Sequence, residues 1–178
     1  MDSVFESDLE HCSRVFFPVC SIRLGCIRKQ WGDERIHVVQ YQADPYNESC
    51  AEWFNEYCSD NMIGFDLRHG KYTFKTGFGY FDLTDDWKEW FDLTTQTYQQ
   101  ARDSYRTSGQ TFGIDQLRLG GKPDWVQADA TPLDPDGKPM SFITEFDTAD
   151  ICHDSCDKTI FLFYSHEHQL AVQVYQIT

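Results

Sequence analysis

Two apolar runs close to the end of the chain, residues 159–165 (TIFLFYS) and 170–177 (LAVQVYQI), are separated by only the four residues His166–Gln169. Both are rich in β-branched and aromatic side chains, and a four-residue connection is too short for a helical crossover. They predict an antiparallel hairpin. Residues 140–147 (MSFITEFD) read as a further strand. Earlier, Cys12 to Tyr41 reads as β structure: an apolar stretch from Arg14 to Ile27, a turn at Gly32-Asp33-Glu34, and a returning strand over 35–41. Pro18 and Gly25 within the first stretch mark an edge or a bulge. Residues 64–81 predict another hairpin, with Phe65, Leu67, Tyr72, Phe74 and Phe78 alternating with polar residues about a His69-Gly70 turn.

Two helices are predicted between these strands. Ser49 and Glu52 have capping-box spacing, and Trp53, Phe54, Tyr57 and Cys58 form an apolar face behind them, with Asn61 and Gly64 as the stop. The longer helix starts at Thr84, with Asp85 and Asp86 complementing its dipole, and ends at Gly109. Its apolar face is Trp87, Trp90, Phe91, Thr94, Tyr98, Ala101 and Tyr105. The sum is an α+β fold, mostly antiparallel β-sheet with two helices, in a single compact domain over residues 1–178. Any internal boundary would fall around 108–115.

Charge narrows the choice of partner. Asp and Glu number 29 against 15 Lys and Arg, a formal net charge of −14. Such a surface repels phosphate backbones and anionic lipid, so neither nucleic acid nor a membrane is expected as a partner. No apolar run is long enough to span a bilayer, and the acidic start (MDSVFESD) does not read as a signal peptide, so the expected location is the cytoplasm. The seven cysteines are odd in number and irregularly spaced, which reads as mostly reduced, half-buried thiols rather than a disulfide framework.

The most distinctive stretch is 119–127 (LGGKPDWVQ), in which Gly120-Gly121-x-Pro123-x-Trp125-x-Gln127 joins a permissive turn to an aromatic anchor and an amide. It is followed by Met140-x-Phe142-Ile143, Phe146-Asp147, Phe161–Tyr164 and the late Gln176. This order resembles the C-terminal half of the YwqG-like bacterial family, and more distantly the programmed-cell-death-protein-2 type of domain. The pattern occupies mainly residues 109–178, and residues 1–100 carry no motif of that family. The resemblance implies a β-rich fold and, as for many bacterial relatives encoded beside secreted polymorphic toxins, an immunity protein. The more distant likeness implies a folding or assembly adaptor. Several relatives carry a Cys-x-x-Cys between the Trp-x-Gln and Met-x-Phe segments. The corresponding stretch here, 131–140 (TPLDPDGKPM), has no cysteine, so a zinc knuckle does not carry over.

Other constellations offer less. Cys152, Cys156, His166 and His168 have side chains suited to zinc, and they define the alternative reading of a small metal-binding regulatory domain or enzyme. Asp134-x-Asp136-Gly137 has the start of a calcium loop without its closing carboxylate, and reads as a turn. Gly77-Phe-Gly79 lacks the later glycine of a dinucleotide fingerprint, and Gly120-Gly121 leads into Lys-Pro rather than a phosphate-loop lysine. His37 sits within a strand and reads as a packed residue. No nucleophile elbow or metalloprotease motif occurs, so no enzyme activity, catalytic residue or cofactor is assigned. What remains is acidic surface: Asp82, Asp85, Asp86, Glu89 and Asp92 around the start of the long helix, opposed there by Lys88, with Glu52 and Glu56 one turn apart on the first helix. These carboxylates are the expected contact residues of an immunity protein that occludes the active site of a cognate, basic toxin.

Overall fold

The computed structural model describes residues 1–41, 48–83, 85–109, 117–148 and 158–177, with the side chains of 85–87 left out. The strands form two antiparallel sheets. Strand β1 (Phe16–Arg23) pairs with β2 (Arg35–Tyr41). A five-stranded sheet runs in the order β4-β3-β7-β6-β5, from β3 (Met62–Arg68), β4 (Lys71–Phe74), β5 (Ser141–Asp147), β6 (Lys158–Ser165) and β7 (Leu170–Ile177). With helices α1 (Leu9–Val15) and α2 (Asp85–Ser108) this is the α+β, largely antiparallel architecture that the patterning predicts. Both predicted hairpins are present, but the second strand of the one expected over 64–81 stops at Phe74, and Phe78 lies in a 3-10 turn, Phe78–Tyr80, instead of continuing the alternation. The β3–β4 turn places His69 at φ 52° and Gly70 at φ 70°, the left-handed pair that a two-residue hairpin of matching twist requires.

The five-stranded sheet is buried on both faces, which accounts for the nearly continuous apolar runs of β6 and β7. Ile160, Leu162, Tyr164, Ala171 and Tyr175 face the main core with the β1–β2 sheet, while Phe161, Phe163, Val172 and Val174 face the opposite side. That second face is covered by the 123–131 segment. Trp125 lies 4.5 Å from Phe161 and 5.7 Å from Phe163, ring centroid to centroid. The Gln127 amide N–H donates to Gln176 Oε1 (2.8 Å), Gln176 Nε2 donates to the Ala128 carbonyl (2.7 Å), and Gln127 Nε2 donates to the Ile177 carbonyl (2.8 Å). The Trp-x-Gln motif is thus a strap tied to the last strand. Both sheet edges are also covered, by a bridge from Phe5 to Tyr72 on β4 and one from Leu119 to Thr144 on β5.

Side chains of the large sheet complete the main chain of β2. Tyr72 Oη accepts from the His37 N–H (3.0 Å) and donates to the His37 carbonyl (2.7 Å). Gln173 Oε1 accepts from the Val39 N–H (2.8 Å), and Gln173 Nε2 and Tyr175 Oη both donate to the Val39 carbonyl (2.6 and 2.9 Å). The His37 ring is fully engaged, Nδ1 with Ser21 Oγ and Nε2 with the Gly70 carbonyl, each at 2.8 Å. It is the packed histidine its strand position suggests.

The structure corrects four local expectations. The predicted helix after Ser49 is a short 3-10 segment, Glu48–Trp53, because Asn55 Oδ1 takes the Tyr57 N–H (2.9 Å) and Asn55 bridges Cys58, closing a turn where a helix would continue. Glu52 and Glu56 therefore share no helix face. The β stretch expected from Cys12 begins instead as α1, supported by an Arg14–Glu10 ion pair one turn apart (2.6 Å) and by burial of Cys12 and Val15. Pro18 does mark a bulge, between Pro18 and Cys20, but Gly25 serves a close approach, since a methyl there would meet the Gly32 carbonyl. Along α2, Phe91, Thr94 and Tyr98 pack inward, with Tyr98 Oη donating to the Pro18 carbonyl (2.6 Å). Trp90 and Tyr105 of the predicted apolar face are 47% and 55% exposed. Gly109, at φ 69°, ends the helix as predicted, its N–H donating to the Tyr105 carbonyl (2.9 Å). The five described cysteines are free thiols, and burial pushes Cys12 and Cys58 up to about 11 and Cys20 to about 12.

Replacing Gln173 with Leu strands the buried Val39 N–H and is expected to lower stability in urea unfolding by about 1–3 kcal/mol. Adding Tyr175→Phe strands the carbonyl as well and deepens the loss. Burial holds the His37 pKa below its ordinary 6.5, with the Gly70 carbonyl opposing and Arg35 reinforcing the effect. The unfolded chain therefore takes up that proton first. The contribution of His37 is whole above pH 6.5 and declines as pH falls toward the folded value. Urea midpoints measured across this interval should fall with acidity, and His37→Gln should flatten that slope.

Candidate functional site

Two of the predicted acidic residues, 30 positions apart, converge on one groove. Its walls are Ser49, Cys50, Glu52 and Trp53 from the 3-10 segment and Gly79, Phe81, Asp82 and Leu83 from the β4–α2 connection, around about 420 Å³. Trp53 is the floor of this arrangement. Its indole lies flat over Gly77 and Gly79, where a methyl group at either position would overlap the ring. Thr76 Oγ1 donates to the Trp53 carbonyl (2.7 Å) and fixes the approach of the segment from below. Phe54 turns the other way onto Tyr80, at 5.7 Å between ring centroids. Trp53 remains 43% exposed and Leu83 54%, so the groove presents apolar surface between carboxylates.

The remaining acidic candidates divide. Glu89 and Asp92 are exposed on α2, and Asp92 accepts an i,i+4 ion pair from Lys88 (2.6 Å). Asp85 and Asp86 stand in the first turn of that helix, with side chains outside the described residues. Glu56 lies in the turn after Trp53 and does not line the groove.

The Cys/His candidates do not gather among the described residues. Cys152 and Cys156 lie outside them. His166 stacks on Trp31 at 5.7 Å, a ring that also carries the Arg28 guanidinium at 4.8 Å. His168 turns instead to Asp136 (3.4 Å) and Asp134 (3.9 Å). Asp134 closes the turn read from the sequence, its Oδ1 accepting from the Asp136 and Lys138 amides (2.9 and 3.0 Å). Burial raises its pKa, but those amides, the Ser165 hydroxyl and the His168 charge outweigh burial and leave it below the ordinary value. Asp134, Asp136, Glu167 and His168 could supply metal-ligand atoms, all within 4.8 Å of one another. The Lys138 ammonium already bridges Asp136 and Glu167, at 3.2 Å each, and supplies the cation that this group of carboxylates calls for.

A second cleft of about 430 Å³ opens where Arg28 and Ile27 approach Gly120, Gly121, Met140 and Phe142. Neither it nor the part played by Trp53 and Leu83 is visible in local patterning, because each depends on segments far apart in the chain. The one available signal was Gly77-x-Gly79, two small residues at the end of a hairpin.

A family model described as a domain of unknown function (DUF1963) matches residues 118–177, 60 of the 178. The match spans the strap and strands β5 to β7 and leaves the acidic groove outside it. No curated protein and no solved structure matches the chain. Among the described residues no helix is long and apolar enough to cross a membrane.

Trp53 is only part-buried, so Trp53→Ala should cost about 1–2 kcal/mol in urea unfolding. A core aromatic such as Phe65 should cost about 3–5 kcal/mol when truncated to alanine.

Proposed function

We propose that this chain is a cytoplasmic binding protein that neutralises a cationic protein by covering its working surface, an immunity protein for a cognate secreted bacterial toxin. The observation that carries this reading is the convergence of Glu52 and Asp82 on a groove floored by Trp53 and edged by Leu83. Charge alone would give attraction without residence. A fixed aromatic surface inside an acidic rim supplies both, since steering by net charge raises the encounter rate and a desolvated aromatic contact slows departure. A toxin that acts on a polyanion such as nucleic acid has to carry a positive active-site surface, and a protein of charge −14 competes for that surface by the same field. The position of the groove outside the segment matched by the family model suits a feature fitted to one partner while the strapped sheet serves as scaffold. Glu89 and Asp92 add exposed carboxylates on α2, and the YwqG-like resemblance of the C-terminal half points to the same role.

Co-expression with the toxin encoded beside its gene should restore growth, and the two proteins should co-purify. The combined variant Glu52→Gln, Asp82→Asn and Glu89→Gln should associate about tenfold more slowly than the parent at low salt, with the gap closing near about 0.5 M salt. Equal association rates at low salt would place the contact elsewhere.

A further inference from the structure

Resting on the reading of this groove as the partner surface, we infer that Trp53 is a preformed receptor for a cationic side chain of the partner, arginine above all. The glycines beneath it identify the purpose. Gly77 has φ −86° and ψ 162°, a conformation open to any residue, and Gly79 is not in the left-handed region either. Neither glycine is required by the backbone, and each costs conformational entropy on folding. What both provide is the missing Cβ that lets the indole rest directly on main chain. Seating of this kind would be ordinary for a buried ring. Here it holds the ring of a residue that is 43% exposed, in a groove whose walls, among the described residues, carry Glu52 and Asp82 and no lysine or arginine.

Among the described residues four other rings carry a cation of their own: Trp31 under Arg28, Tyr98 under Arg102, Phe142 under Arg118 and Tyr41 under Lys158. Among the described residues Trp53 has none, although it is the ring flanked by two groove carboxylates. A guanidinium laid on the indole would meet the negative face of the ring, while its N–H groups reach toward the carboxylates on the walls. Arginine suits this better than lysine because it is planar and less strongly hydrated. The apolar edge at Leu83 would cover its methylene stem. Occupancy is strongest where water is excluded, so the rest of the partner closing over the groove would complete the site.

The test uses the full chain labelled with ¹⁵N and three short peptides, acetyl-Gly-Arg-Gly-amide and its lysine and citrulline counterparts, at low ionic strength. The Trp53 indole N–H resonance is assigned by its loss in Trp53→Phe. It should move with the arginine peptide, less with the lysine peptide, and stay in place with citrulline, which keeps the shape and loses the charge. The other indole resonances should not move. Gly79→Ala, which unseats the ring, should weaken the arginine peptide by about three- to tenfold. If that variant does not fold, Trp53→Leu keeps apolar bulk without the π face, and should bind arginine no better than citrulline on the Gly79 and Leu83 amides. Equal response to citrulline, or no response of Trp53 to arginine, overturns the inference. Arginine selectivity in a chain that fails to protect against the neighbouring toxin would keep this receptor and remove the immunity role. Protection without selectivity would do the reverse.

Discussion

Among the described residues no strand pairs with the outward main chain of β2, and the structure depends on how that is resolved. β2 pairs with β1 on one side only, and on the other it sits against the interior of the large sheet. Buried peptide groups without partners would each cost as much as a lost hydrogen bond or more. Tyr72 and Gln173 solve this by presenting side-chain groups to both the N–H and the carbonyl of His37 and Val39. They act as a substitute strand. Because one comes from β4 and the other from β7, they also fix the small sheet against the large one at two places.

Aromatic packing fills the space that these links define. Phe16 lies within about 5–6 Å of Phe5, Phe65, Phe74 and Phe81, ring to ring. The opposite face of the large sheet is sealed by Trp125 and its flanking amides. Half of the distinctive Gly-Gly-x-Pro-x-Trp-x-Gln motif is thus explained by structure: tryptophan covers the β6 phenylalanines, and glutamine ties to the last strand. The residues that the family model matches, 118–177, comprise this strap and strands β5 to β7. The groove residues lie outside that segment.

Within that groove, acidity and aromaticity act at different ranges. The net charge of −14 reaches about a Debye length into solvent and, in the proposed binding role, would bias which partners arrive. Trp53 and Leu83 act only on contact. Glycines at 77 and 79 let the ring rest on main chain, so in the proposed binding role less side-chain freedom would be lost.

Patterning alone was enough for β3–β4, for β6–β7, and for the extent of α2 with its Gly109 stop, because each is decided by contacts between near neighbours. The sequence by itself also determined the acid excess. Trp53 to Cys58 went wrong for the opposite reason: its helical spacing was overruled when Asn55 captured a backbone N–H and Trp53 was drawn onto Gly77 and Gly79. The meeting of Glu52 with Asp82, the divergence of His166 from His168, and the exposure of Trp90 and Tyr105 were likewise settled in three dimensions. Local periodicity records which side of an element avoids water, whereas the partner that each side finds depends on how distant segments satisfy one another's hydrogen bonds.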